Sequence, residues 1–160
     1  MGFLIRPITE GDVEGAVAVV RDTLAEYGLE LGVGSETDSD VARLPGSYTT
    51  RGGRFLVAVD EAGAVVGTAG VFPLEPGVYE LRKMYLRPAA RGHGLGARLF
   101  EACLAFCREQ GARQLVLDTR ENMTEAIAFY ERRGFVRDDA QKRGSRCTRG
   151  YRLDLPERGP

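Results

Sequence analysis

The sequence carries one histidine, three cysteines, almost no net charge and no long apolar run. With 22 Lys and Arg against 23 Asp and Glu the net charge is −1, so no global field argues for nucleic acid or an anionic membrane as partner. No apolar stretch approaches the ~20 residues that cross a bilayer. The opening segment MGFLIRPITEGD turns polar by Arg6 and lacks a secretory hydrophobic core, so a cytoplasmic protein is expected. Three cysteines make no disulfide framework, and Cys103, Cys107 and Cys147 lack a four-ligand zinc spacing. Cys103 and Cys107 stand one helical turn apart, as small core residues do. Neither an internal repeat nor a low-complexity linker interrupts the chain. The expectation is one globular domain over residues 1–160, at 43% hydrophobic and 28% charged large enough to bury a core.

Residues Phe3 to Ile8 alternate as a first strand. Thr9 and Asp12 resemble a helix cap, and Val13, Ala16, Val17, Val20 and Leu24 then mark one helical face. Residues 28–53 are glycine-bearing and polar, with a short helix expected around Ser39 to Leu44. A connection of that length inside a domain is more often functional than idle. Arg54 to Val59 and Ala64 to Phe72 flank the hairpin loop Asp60-Glu61-Ala62-Gly63, and Leu74-Glu75-Pro76-Gly77 reads as a second turn into a strand over Val78 to Leu86. Strands joined so tightly are antiparallel. A helix over Leu95 to Gln110 follows, stopped by Gly111. Leu115-Val116-Leu117 is then a short strand buried on both faces and parallel to the central one. A helix from Asn122 to Arg133, stopped by Gly134, precedes a closing strand pair at Phe135 to Arg137 and Tyr151 to Leu155. The class is α/β: a mixed, mostly antiparallel sheet flanked by helices.

Between the central strand and its helix lies Arg91-Gly92-His93-Gly94-Leu95-Gly96. Glycines at alternate positions let a ligand approach the backbone and permit positive φ. The helix that begins there aims orphan N–H groups and its positive dipole end at the same spot, which suits phosphate. Gly92-x-Gly94-x-x-Ala97 also satisfies a dinucleotide pattern, with Asp118 ending the next strand about 20 residues on. Three features count against that reading. Arg87 to Arg91 separate the strand from the first glycine, an antiparallel hairpin precedes the unit, and too little chain follows Asp118 for further βα units. A P-loop fails too, since no Gly-Lys-Ser/Thr follows.

The stretch resembles the GNAT superfamily of N-acetyltransferases, whose Q/R-x-x-G-x-G/A signature is matched by Arg91 to Gly96. Glu80 to Pro88 is similar to the family's central strand, and Asn122-Met123-Thr124-Glu125-Ala126-Ile127-Ala128-Phe129-Tyr130 through Gly134-Phe135 to its second signature. The resemblance is close over residues 54–137 and topological elsewhere. It implies acetyl-coenzyme A as cosubstrate, a splayed parallel strand pair as its slot, and direct attack of an amine on the thioester. It further implies cofactor contacts from Met84, Tyr85 and Leu86, from Arg91, Gly92, His93, Gly94, Leu95 and Gly96, and from Asn122 and Tyr130. Glu80 is the candidate base and Tyr130 the candidate acid toward the sulfur. Plainer readings stand beside these: Glu80 as a surface carboxylate, Tyr130 as a packing aromatic, Asn122 as an N-cap, Arg91 and His93 as solvent-facing. The implied acceptor is a small amine such as an amino acid, with a protein amine or a non-catalytic acyl-coenzyme A sensor as alternatives. Its recognition is contested within the sequence, since Glu36, Asp38 and Asp40 suit a cationic amine whereas Tyr48, Arg51, Arg82 and Lys83 suit an anionic group. Dimerisation is common in the family, and nothing in the sequence fixes it.

Overall fold

The computed structural model describes residues 2–156. Seven strands form one sheet in the order β1-β2-β3-β4-β5-β7-β6. They are β1 Leu4–Pro7, β2 Arg54–Val59, β3 Val65–Glu75, β4 Val78–Leu86, β5 Gln114–Thr119, β6 Val136–Arg137 and β7 Arg149–Asp154. Every neighbouring pair is antiparallel except β4 and β5. The helices are α1 Val13–Glu26, the single turns α2 Asp38–Val41 and α3 Gly46–Thr49, then α4 Leu95–Glu109 and α5 Thr124–Arg132. Among the described residues no helix is long and apolar enough to cross a membrane.

Local chemistry explains most boundaries. Asp12 accepts from the Thr9 N–H and hydroxyl, each at 2.9 Å, and holds Arg6 in an ion pair, which fixes the entry to α1. In the β2–β3 hairpin Asp60 Oδ1 accepts from the N–H groups of Ala62 and Ala64 at 3.0 and 2.9 Å, the side-chain mimic of a backbone turn. The two faces of the sheet carry separate cores. Leu95, Leu99, Phe100, Cys103 and Cys107 of α4 pack with Leu81, Leu115 and Leu117 on one face. Ala16, Val19, Val20 and Leu24 of α1 pack with Val41, Tyr48, Phe55 and Val57 on the other. Both helical cysteines are thus core residues.

Several boundaries differ from expectation. Leu74 and Glu75 belong to β3, which stays paired with β4 as far as Glu75 opposite Val78, so only Pro76-Gly77 turns. The 28–53 connection holds two helical turns rather than one. Val13 and Val17 are only half-buried, because Val19 and Thr23 take places on the inner face of α1. α5 begins at Thr124, two residues after Asn122, with Met123 at the cap position. The last strand, β7, slides between β5 and β6, pairing Gln114–Thr119 on one side and Val136–Arg137 on the other.

Candidate active site

β4 and β5 part company early. Only three register pairs join them, Val78 with Gln114, Tyr79 with Leu115 and Glu80 with Val116, although β4 continues to Leu86 and β5 to Thr119. The cause lies on the β3 side of β4. Gly70 opposes Arg82 and Thr68 opposes Tyr85, so Ala69 alone faces both Lys83 and Met84. Lys83 takes up the extra residue in a left-handed conformation, φ 53°, and its carbonyl accepts from the Thr68 hydroxyl at 2.7 Å. Such a bulge bends and twists its strand. Past Glu80 the β5-facing backbone groups of β4 have no partner strand, and a cavity of about 240 Å³ opens between the strands. Met84, Tyr85 and Leu86 line it along β4, Leu117 and Asp118 along β5, and Tyr130 from α5. Met84, Tyr85, Leu86 and Tyr130 therefore border one cavity.

Gly96 lies at one end of this cavity, where α4 begins. Gly92 and Gly94 have φ of 82° and 75°, and a methyl on either would meet no atom within 4 Å, so the surface there is bare backbone. Gly94 caps α4 without a side-chain bond, and the first turn of α4 carries no acidic residue. Among the described residues the N–H groups from Gly92 to Ala97 find no backbone acceptor. A helix start without a side-chain cap or an acid in its first turn is of the kind that favours an anion. The side chains of the turn play lesser parts. Leu95 is buried in the core and can offer only its N–H. The His93 ring lies 5.6 Å from that of Phe3. Arg91 ion-pairs with Glu26 through both terminal nitrogens, at 2.9 and 2.8 Å, and donates to the Leu86 carbonyl. It ties the turn to α1 and to the end of β4.

Glu80 is 2% exposed, not the surface carboxylate of the plainer reading. It does line the cavity, but each of its oxygens is taken: Arg82 Nε donates to Oε1 at 2.5 Å and Arg143 Nε to Oε2 at 3.1 Å. Arg82 also reaches Asp40 at 3.3 Å and stacks 4.1 Å over Phe72. Next along the strand, Lys83 pairs with the fully buried Asp38, which also receives both terminal nitrogens of Arg146 at 2.6 and 2.9 Å and the Gly32 N–H at 2.7 Å. Burial works against the Asp38 charge, yet the Arg146 and Lys83 hydrogen bonds outweigh it and hold this carboxyl below its usual range. Burial, with Arg146 and Arg82 nearby, pulls the Lys83 ammonium down from its ordinary value. The Tyr130 hydroxyl is pushed up by burial, so it stays protonated. Asn122 is exposed, makes no cap bond and does not line the cavity; its neighbour Met123 does.

The conflicting acceptor residues of the sequence thus largely neutralise one another. Asp38 faces Lys83, and Asp40 and Glu80 face Arg82. The sequence reads the basic run from Gln141 to Arg152 as a solvated surface loop and strand; instead the fold carries the loop between β6 and β7 to β4, where Arg146, its side chain only 9% exposed, pairs with Asp38 and Arg143 with Glu80. Asp118 had a sequence signal, as the acid closing a strand after a glycine turn, but attached to a cofactor the turn does not fit.

Residues 20–135 match the model of the acetyltransferase (GNAT) family. The uncharacterized N-acetyltransferase YjgM of Escherichia coli K12 is 36% identical over 140 residues, covering 85% of this chain and 83% of that protein. The L-methionine sulfoximine/L-methionine sulfone acetyltransferase of Pseudomonas aeruginosa is 31% identical over 143 residues, covering 84% and 81%. Among solved structures, a phosphinothricin acetyltransferase of Sinorhizobium meliloti in complex with acetyl-coenzyme A superposes with a TM-score of 0.76 at 23% identity, covering 97% of this chain and 89% of that one.

Proposed function

The chain belongs to the GNAT family of acetyl-coenzyme A-dependent N-acetyltransferases, and on that premise we propose that it acetylates the primary amine of a small molecule such as an amino acid. The observation that carries the reading is the continuity of the forked strands with the bare glycine turn. The cavity between the forked strands reaches Arg91 and Gly96, the two residues that flank the bare glycines at the start of α4. That shape suits a long thioester with a pyrophosphate at one end. The residues present fit it: a Cβ at Gly92 or Gly94 would meet no protein atom, so open space lies over the turn for a pyrophosphate, and the N–H groups there would supply its donors.

The chemistry follows from the positions. Amine attack on the thioester carbonyl creates an oxyanion, and the unpaired β4 donors near the bulge are fixed in place before reaction. A preorganised donor of that sort is worth about 10²–10³-fold in rate. The bulge therefore matters through its backbone, with Lys83 tethered to Asp38 so that the left-handed residue keeps its place. Collapse of the intermediate expels a thiolate, and Tyr130, held in the protonated form by burial, is the donor toward it. A small acceptor bearing an α-amine is favoured by the methionine sulfoximine enzyme among the relatives.

The test is release of free thiol from acetyl-coenzyme A in the presence of L-methionine sulfoximine, L-glutamate, putrescine or a lysine peptide, with thermal shift by acetyl-coenzyme A, NADH and ATP alongside. Stabilisation by acetyl-coenzyme A with thiol release on a small α-amine is expected. Turnover confined to the lysine peptide would move the acceptor to proteins. Stabilisation without turnover on any amine would leave a binding module instead of an enzyme.

A further inference from the structure

Acetyl transfer to an amine needs a proton acceptor, and the carboxylates in and beside the cavity differ sharply in what occupies them; of those that line it, Glu125 is exposed in the first turn of α5, which leaves Glu80 and Asp118 on the forked strands themselves. Glu80 has a guanidinium on each oxygen, Asp38 is shared by Lys83 and Arg146, and Asp40 is shared by Arg43 and Arg82. Asp118 is the contrast. Its donors are the backbone N–H groups of Arg143 at 2.7 Å and Gly144 at 3.1 Å, both on Oδ2, and no ion pair with it is found among the described residues.

Its place follows from strand periodicity. Glu80 and Val116 are register partners at the last rung before the strands separate. Side chains two apart share a face, so Asp118 is the first β5 side chain beyond the fork on the face that carries Glu80. Leu115 and Leu117 point the other way, into the core that also holds Tyr130. Asp118 and Tyr130 thus border the same cavity from opposite faces of the sheet. Cys147 lines the same cavity, and its thiol is pushed up to about 12 by burial first and then by Asp118 beside it.

We propose that Asp118, and not Glu80, takes the proton from the attacking amine. This rests on the acetyl-transfer reading. The ammonium gives one proton to the Asp118 carboxylate, the freed nitrogen lone pair forms the new C–N bond at the acetyl carbon, and the thioester π pair moves onto oxygen. The nitrogen then loses its second proton to solvent, the pair returns and breaks the C–S bond, the thiolate takes the Tyr130 proton, and Asp118 and Tyr130 are restored by giving up and taking back a proton through solvent. Amine enters on the Asp118 face and thiol leaves toward the Tyr130 face, so the two transfers do not compete for one space. Arg82, Arg143 and Arg146, with Glu80 and Cys147, surround the site, and the arginines act there as positioning groups for the carboxylates they bind.

The test compares Asp118→Asn, Glu80→Gln and the unaltered protein by thiol release over pH 5–10 with the four amines named above. Asn keeps an oxygen for the two backbone N–H donors but cannot accept the proton, and an unchanged acetyl-coenzyme A thermal shift certifies its fold. Asp118→Asn should lower kcat on the order of 10²-fold or more near neutral pH. The deficit should shrink as pH rises, because the amine then arrives already neutral, and Glu80→Gln should not reproduce that pH-dependent recovery. If Asp118→Asn binds acetyl-coenzyme A and keeps an unaltered pH profile, or if the recovery belongs to Glu80→Gln instead, the assignment is wrong while acetyl transfer stands. Should the unaltered protein turn over none of the four amines, the acetyl-transfer reading falls first and this assignment with it.

Discussion

At the scale of single residues, the proposed reaction separates groups that hold from groups that react. Tyr130 is 8% exposed and packs edge-on against Phe129 and Phe135 at 5.8 and 5.6 Å, so its ring belongs to the core while its hydroxyl borders the cavity. Tyr130→Phe keeps the ring. It should leave the thermal midpoint and acetyl-coenzyme A binding nearly unchanged and lower kcat on the order of 10²-fold. Equal kcat in the variant would reduce Tyr130 to a packing residue. Asp38 behaves oppositely. Its removal strands Lys83 and Arg146, whose side chains are only 4% and 9% exposed, so Asp38→Ala should destabilise the fold by about 3–5 kcal/mol in denaturant titration. The pH dependence has a definite sign. A carboxyl depressed in the folded state contributes its stability above the unfolded carboxylate range and loses it as pH falls through the folded value. Acid unfolding should therefore begin at a higher pH once this interaction is weakened, as in Asp38→Asn. An unshifted acid transition in that variant would mean the pairing contributes no net stability.

At the scale of elements, the glycine turn and α4 form one device. Gly94 is left-handed, like Gly92, and is also the cap, so Gly94→Ala should cost about 1–2 kcal/mol of stability through backbone strain alone. Its methyl meets no protein atom, so any larger loss of acetyl-coenzyme A affinity, read by calorimetry, must come from the ligand side. An affinity that does not change would move the phosphate away from this turn. This device was legible in the sequence, because turn glycines and helix starts are local. So were β4, whose bounds Val78–Leu86 came out as read, and the burial of Leu115, Val116 and Leu117. Two things were not legible. The extension of β3 through Pro73 to Glu75 depends on pairing with β4, which overrides the turn signal of Leu74-Glu75-Pro76-Gly77. The surroundings of Glu80 depend on Arg143, 63 residues away and in a loop without periodicity. A charge on a strand shows in the sequence, but what neutralises it does not.

At the scale of the whole molecule, the fork makes the sheet two units joined by a short seam. β1 to β4 lie on one side and β5, β7 and β6 on the other, with three register pairs between them. Past the seam, hydrogen bonds absent from the β4–β5 interface are left for a ligand to supply. A ligand that spans the gap should therefore tie the units together as well as stabilise by mass action. Acetyl-coenzyme A at a hundredfold excess over Kd adds about 2.7 kcal/mol. For a chain of this size that corresponds to a rise in thermal midpoint of very roughly 5–10 °C. Where the protection falls is the sharper criterion. Amide exchange should slow beyond Glu80 in β4, in Leu117 to Thr119 of β5 and at Gly92 to Ala97. It should change little in β1, which pairs only with β2 at the far edge. A uniform slowing across both edges would indicate global stabilisation by a ligand bound elsewhere. Protection confined to the turn at α4 would mean that a phosphate group is seated there while the strands beyond the seam stay open, and the half of the cleft between the strands would then lack its occupant.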